Sequence, residues 1–321
     1  MYNYSKKDLD VIASKTGFIR DNLEKTFRLA DILEYLNHNG LMSEHLTLKG
    51  GTAINMTVFD LPRLSVDIDL DFDKLCHREE MLSIRKKINH ELLNYMFSQA
   101  YALSPNTKNP HSLDSWVFYF QNAAGNRDNI KVEINYSMRN HIFPSVKKPI
   151  NIYFLQKNFE IKTLAKIELV GSKIKALIER SAPRDLYDVN NMLKMNIISQ
   201  DEQNLVRKTA LFYLIVGENE KISQKFDFEK ITSLNFAQIR RSLIPVLKKN
   251  EPFDFETAKI NVTQYLSGLM IFTEDEQQFI ENFHQGIYQP DLLFEDQAII
   301  ERIKEHPMAI WRINTGRYKR Q

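Results

Sequence analysis

Three aspartates stand at alternate positions in SVDIDLDF: Asp67, Asp69 and Asp71, set among Val66, Ile68, Leu70 and Phe72. A period of two belongs to a β-strand, so the apolar residues turn to a core and the acids share the opposite face. Like charges side by side destabilise one another unless lysine, arginine or a bound cation sits among them. A charged edge strand would also explain the pattern. Acids are depleted in strands, however, and two carboxylates at i and i+2 on a rigid strand can hold two Mg²⁺ ions against a triphosphate. Upstream, the Gly50-Gly51-Thr52 run in LKGGTAIN is by itself only a tight turn. Before a helix and beside the acids, its bare backbone can approach a phosphate, and the N–H groups opening the helix favour negative charge. Ser65 lies on the same face as Asp67 and Asp69. Asp71 is read as structural.

Two further segments carry candidate groups. In IKVEINYS, Lys131, Glu133 and Asn135 share one strand face, which makes Glu133 the best-placed third carboxylate for the metal set of Asp67 and Asp69. In SKIKALIERSAPRDLYDVNNM, Lys173 and Arg180 lie seven apart on one helical face, and Pro183 opens a second helix with Asp185 in its first turn. Taken alone, that segment reads as solvated Lys173 and Arg180, with Asp185 placed where the helix dipole favours it.

The elements that position these groups follow from periodicity. Ser5 and Asp8 cap a first short helix that Gly17 ends. Ile19, Leu23, Phe27, Ala30, Leu33 and Leu36 give a second helix that Gly40 stops. Residues 78–100 form a third. SWVFYFQ and IKVEINYS are strands joined at Gly125 and Asn126, and the runs at 151–155 and 159–164 are further strands. Beyond residue 166 the pattern is helical. The fold class expected is α+β, with a division near residue 165 into segments 1–165 and 166–321.

Composition narrows the setting. With 321 residues and 43% hydrophobic content the chain can fill a real core, and a net charge of +2 leaves any nucleic-acid surface to local patches. The single Cys76 excludes an internal disulfide and a cysteine-rich zinc site, which fits a reducing compartment. The amino terminus has charges where a signal peptide needs an apolar core, and no stretch approaches the roughly 20 apolar residues of a membrane span. The cytoplasm is the expected location, with no membrane partner.

LKGGTAINMTVFDLPRLSVDIDLDF followed by SKIKALIERSAPRDLYDVNNM resembles the AbiEii/AbiGii nucleotidyltransferase toxin family of type IV toxin–antitoxin and abortive-infection systems, with MenT-like members. The late stretch YQPDLLFEDQAIIERIKEHPMAIWR is similar to the carboxy-terminal region of some members. The resemblance implies a DNA polymerase β-like nucleotidyltransferase core at 1–165 and a helical carboxy-terminal domain at 166–321, with the active site in the cleft where they meet. It further implies Mg²⁺, or Mn²⁺ in its place, a nucleoside triphosphate substrate and a cognate antitoxin encoded nearby. Residue by residue, Gly50, Gly51 and Thr52 match the triphosphate turn, Ser65 the serine of the SxDxD motif, and Asp67 and Asp69 its metal-binding acids. Lys173 matches the phosphate-holding lysine, and Asp185 the downstream catalytic-site aspartate. Thr52 stands where the wider superfamily often has serine, and the spacing from Gly51 to Asp67 is longer, as is usual in this family. On this reading Lys173→Ala should weaken activity and barely alter stability.

The acceptor expected from the resemblance is RNA, specifically the 3′ end of tRNA, whose modification would halt translation. Lys147 and Lys148 flank the core, and RINTGRYKRQ sets Arg312, Arg317, Lys319 and Arg320 beside Trp311 and Tyr318, a pattern suited to phosphates and unpaired bases. A solvated basic tail explains the same segment. Two other readings stay open: transfer to a protein hydroxyl, and a nucleotide-binding interaction protein without chemistry, although the intact Asp67 and Asp69 pair speaks against the latter. Nucleotide preference and oligomeric state are not encoded in any motif.

Overall fold

The structure, a computed structural model, describes residues 5–110, 112–155, 157–217 and 226–315. The chain forms two compact units. One comprises Met1–Arg139, Ser145–Leu164 and Ile244–Glu251, and the other Asn140–Pro144, Ala165–Leu243 and Pro252–Gln321. The α+β class expected from the sequence is what the chain adopts.

The first unit carries helices α1 (Lys6–Thr16), α2 (Arg20–His38), α3 (Gly40–His45), α4 (Gly50–Ala53) and α5 (Arg78–Ser98); α4 runs on as a π-wound turn over Ile54–Val58. Its strands are β1 (Leu46–Lys49), β2 (Asp67–Phe72), β3 (Ala102–Leu103), β4 (Leu113–Gln121), β5 (Arg127–Asn135), β6 (Val146–Ile152) and β7 (Lys157–Thr163). Among the described residues they make one mixed sheet in the order β3-β4-β5-β2-β1-β7-β6. β2 runs antiparallel to β1 and parallel to β5, which places the acidic strand between the strand that leads into the glycine turn and the strand that bears Glu133. Ile68, Leu70 and Phe72 are buried as the alternation requires. α2 covers β7, and its Leu23, Phe27, Ala30 and Leu33 are fully or almost fully buried.

Several boundaries differ from the sequence reading, each for a physical reason. Gly40 does not stop α2. The helix ends at His38, Asn39 accepts a hydrogen bond from the Met42 N–H through its side chain, and Gly40 opens α3. Ile19 sits at the α2 cap and is 38% exposed, so it does not belong to the buried stripe. The strand expected at 151–155 is instead β6, beginning at Val146, and Tyr153–Leu155 turn as a 3₁₀ segment. Pro149 disguises β6 in the sequence, but β6 is the last strand of the sheet, the position in a sheet that tolerates proline. β1 has only four residues, too few to show a strand periodicity in the sequence.

The hairpin of β4 and β5 closes as read, with Gly125 at φ 85° and the Asn122 side chain accepting from the N–H groups of Ala124 and Asn126. Ile244–Glu251 returns to the first unit through three hydrogen bonds: Leu64 N–H to Val246 O at 2.8 Å, Asn22 Nδ2 to Pro245 O at 2.6 Å, and Lys249 N–H to Gly17 O at 2.8 Å. The first of these fixes the chain one residue before Ser65.

The second unit is helical: α6 (Lys166–Arg180), α7 (Pro183–Lys194), α8 (Gln203–Gly217), α9 (Glu229–Thr232), α10 (Phe236–Ser242), α11 (Phe255–Leu269), α12 (Glu274–His284), α13 (Gln297–Ile303) and α14 (Pro307–Thr315). α6 and α8 pack so closely that a Cβ on Gly171 would lie 2.5 Å from Thr209 Cγ2. Phe212, Phe279, Phe283 and Phe294 fill the core. No helix in the described residues is long and apolar enough to cross a membrane.

The β4–β5 hairpin is tied to α5 by a buried charge pair. Arg85 donates to both oxygens of the fully buried Asp114, at 3.0 and 2.6 Å, and Asn89 adds a bond at 2.9 Å. Arg85→Ala would leave Asp114 buried without its cation and should destabilise the protein by about 3–5 kcal/mol. Arg85→Lys should recover only part, because a lysine lacks the planar fork. Urea denaturation followed by circular dichroism measures both.

Candidate active site

The turn between β1 and α4 is built around one close approach. Gly50 has φ +69°, and a Cβ there would lie 2.5 Å from Asp69 Oδ2 and 3.1 Å from Asp69 Cβ. Only glycine satisfies both the left-handed backbone and that contact. At Gly51 a Cβ would sit 2.8 Å from an Nη2 atom of Arg63 and 3.7 Å from Ser65 Oγ. The turn is therefore folded directly against the side chains of the acidic segment.

Two hydroxyls brace it. Thr52 is fully buried and Ser65 nearly so; their oxygens are 2.6 Å apart, and Thr52 also donates to the backbone oxygen of Asp67. Thr26 donates to Ser65 O at 3.2 Å, and Asn55 Nδ2 donates to Gly51 O at 2.8 Å. The structure thus engages Thr52 and Ser65 in holding the turn to β2, while the Gly50 and Gly51 backbone forms the surface beside Asp69.

Asp67 and Asp69 are both half-buried on β2. Asp69 stands opposite Glu133 in the β2–β5 register and opposite Lys49 in the β1–β2 register. Glu133 is half-buried and pairs with Lys131 at 2.7 Å. Asp71, 3% exposed, is ion-paired with Lys49, so a lysine on the neighbouring strand balances its charge. Among the described residues no three His, Cys, Asp or Glu side chains converge into a metal cage. The donors here are carboxylate oxygens on one strand face, which suit a hard divalent cation that completes its shell with substrate oxygens and water. Asp67 and Asp69 fit that role. Glu133, whose Oε2 is paired with Lys131, could join them through its other oxygen.

Lys173 and Asp185 lie in the second unit, in a cluster of their own on α6 and α7. The Lys173 ammonium is 2.9 Å from Asp185 Oδ1 and 2.9 Å from Asp188 Oδ2. Arg180 donates to Asp185 at 2.6 and 3.0 Å. Lys173 is 5% exposed, Asp185 1% and Asp188 0%, so the solvated lysine of the sequence reading is corrected: α7 places two carboxylates over it. Burial alone would raise the Asp185 carboxyl, but Lys173 and Arg180 outweigh it and hold the group down at about 2.

Two residues escaped the sequence reading. Arg63, 2% exposed, lies under Gly51 and donates to Leu64 O at 3.0 Å. The alternation of Ser65, Asp67 and Asp69 extends back to it, which was the available signal. Asp188, one helical turn after Asp185, completes the pairing of Lys173. In the other direction, Arg312 is removed from the basic tail: it is 2% exposed and donates to Val216 O and Gly217 O, each at 2.6 Å. Trp311 is 41% exposed. Arg317, Tyr318, Lys319 and Arg320 lie outside the described residues.

Three expected outcomes follow from this geometry. Gly50→Ala should cost about 1–3 kcal/mol through the left-handed backbone. It should also displace the Asp69 carboxylate, so that catalysis expected at this site falls by about 10²-fold; thermal melting and turnover separate the two effects. Lys173→Ala would take the ammonium away from two buried carboxylates, leaving Asp185 to Arg180, and should destabilise by about 3–5 kcal/mol, contrary to the stability-neutral outcome expected from sequence. The depressed Asp185 contributes stability that is present above its ordinary 3.8 and lost as the pH falls from there to about 2. Asp185→Asn should flatten that part of the stability profile, as read by denaturant midpoints across the acid range.

Comparison with known proteins bears on the fold and the family. The family model described as "Nucleotidyl transferase AbiEii toxin, Type IV TA system" matches residues 31–260. No curated protein matches. Among solved structures, the nucleotidyltransferase toxin MenT4 of Mycobacterium tuberculosis H37Rv superposes with a TM-score of 0.65 at 14% identity, over 96% of this chain and 99% of that one, a likeness of fold. The span matched by the family model takes in the glycine turn, β2, β5, α6 and α7, and on that match the chain belongs to the AbiEii toxin family of type IV toxin–antitoxin systems and is a nucleotidyltransferase.

Proposed function

We propose that the protein transfers a nucleotidyl group from a nucleoside triphosphate to RNA, at the 3′ end of tRNA, with Mg²⁺ held by Asp67 and Asp69. Mn²⁺ can take its place, and a cognate antitoxin encoded nearby neutralises the resulting block on translation. The observation that carries this reading is the close approach of the Gly50 backbone to Asp69, which sets an open turn against a half-buried carboxylate pair. A phosphate chain can lie along such a turn, since no side chain stands in its way.

In the reaction the terminal hydroxyl oxygen of the acceptor bonds to the α-phosphorus, the α–β bridging bond breaks, and pyrophosphate leaves. Asp67 and Asp69 would hold the cation, with Glu133 opposite Asp69 as the third carboxylate of the set, and when bound it would supply positive charge for the α-phosphate and the departing pyrophosphate. Asp67 or Glu133 accepts the hydroxyl proton. The backbone of Gly50 and Gly51 lies along the triphosphate, and Thr52 and Ser65 keep that backbone in place. The family resemblance gives Lys173 the role of the phosphate-holding lysine and Asp185 that of the catalytic-site aspartate; within the second unit Asp185 and Asp188 hold the Lys173 ammonium.

The RNA assignment draws on the family resemblance and on exposed cations. Lys147 and Lys148 project from the edge strand β6, where charge also guards against strand pairing. The purified protein, incubated with total RNA, Mg²⁺ and each labelled nucleoside triphosphate, should place label in tRNA. Asp67→Asn and Asp69→Asn should each abolish the labelling and the growth arrest while circular dichroism stays native. Label confined to protein would replace the RNA acceptor by a protein hydroxyl. Undiminished toxicity of folded Asp69→Asn would remove the carboxylates from the mechanism.

A further inference from the structure

The second unit holds a cavity of about 510 Å³ that takes no part in the chemistry above. Its floor is aliphatic, made by Val170 and Ile174 of α6, Val189 of α7 and Leu269 of α11. Its rim is made of primary amides. Asn196, Gln200 and Gln264 are exposed around it, and their side chains have no protein hydrogen-bond partner among the described residues. Tyr265 presents its ring to the wall and donates its hydroxyl hydrogen to Gln203 at 2.8 Å.

The charge of this lining is as informative as its shape. Arg207 is the cation of the lining, and it is committed to Glu276, with two contacts of 3.0 Å, and to Asn204 at 3.1 Å. A phosphate or carboxylate ligand would meet a guanidinium whose charge the fully buried Glu276 already balances. A neutral ligand with one flat apolar face and an edge of both donors and acceptors matches every feature: the floor takes the face, and amides, which both donate and accept, take the edge. A nucleobase has that description, and asparagine and glutamine pair with base edges through two bonds at once. The volume suffices for a base with its ribose.

We propose that this cavity is a nucleobase-binding site, separate in its residues from the carboxylate site, that accepts an unpaired base either from an RNA strand or from a free nucleoside. Gly268 supplies a clean test. It lies on the cavity wall near the end of α11, and the place where its Cβ would go has no atom within 4 Å. A side chain added there projects into open space, and replacing a helical glycine does not weaken the helix.

The experiment is calorimetric titration of the protein, without any triphosphate, by adenosine, by each other nucleoside and by a short single-stranded oligoribonucleotide. At least one of these should bind saturably. Gly268→Phe should abolish that binding and Gln264→Leu weaken it by about tenfold, with melting temperatures unchanged. Tighter binding of the oligonucleotide than of any nucleoside identifies a base within RNA as the occupant; binding of the nucleoside alone identifies the free compound. No saturable binding by any of them, binding undiminished in Gly268→Phe, or displacement by inorganic triphosphate would overturn the assignment. Because the readout involves no transfer, these outcomes are independent of whether Asp67 and Asp69 catalyse it.

Discussion

The first unit depends on the contact between the Gly50 backbone and the Asp69 carboxylate. A strand that carries acids on one face is unfavourable on electrostatic grounds, and a left-handed residue pressed against one of those acids admits no side chain. Both conditions are met together because β1 delivers the chain to Gly50 beside β2, and β1 and β2 are hydrogen-bonded with Lys49 opposite Asp69. The buried Thr52 and Ser65 hydroxyls then join the turn to β2 from below, and Asp71 is paired with Lys49. What remains on the open side is Asp67 and Asp69 next to bare backbone, an arrangement suited to a cation and a phosphate chain.

The legible part of this was whatever local periodicity determines. Alternation alone gave β2, the β4–β5 hairpin and the shared face of Asp67 and Asp69, and helical spacing gave α2 and α5. The pairing of β2 with β5, which brings Glu133 opposite Asp69, is a long-range register that no local pattern specifies. β6 was misplaced because Pro149 argues against a strand everywhere but an edge, and only the finished sheet makes it one. Lys173 looked solvated because α6 alone gives no sign that α7 will fold Asp185 and Asp188 onto it. Arg312 looked like part of a basic tail, yet it caps two carbonyls at the end of α8.

The second unit treats charge differently from the first. Three of its buried acids are paired with cations within the protein: Lys173 and Arg180 on Asp185, Lys173 on Asp188, and Arg207 on Glu276. These buried pairs order helices α6, α7, α8 and α12 against one another, and they leave a cavity whose lining is close to neutral. The first unit keeps an acid pair on an accessible face, and the second keeps amides around an apolar floor. The two surfaces suit different parts of a nucleotide or nucleic acid, one the phosphates with a cation and the other a base.

Binding of Mn²⁺, followed by electron paramagnetic resonance in the presence of a non-hydrolysable nucleoside triphosphate, addresses the acid pair most directly, since it needs neither acceptor nor turnover. The wild-type protein should convert the spectrum of the Mn²⁺–nucleotide complex in solution to a further broadened, protein-bound one, and Asp69→Asn should leave the solution spectrum of that complex unchanged. An equally strong bound signal in folded Asp69→Asn would contradict the assignment of the β2 carboxylates as the place where cation and triphosphate meet.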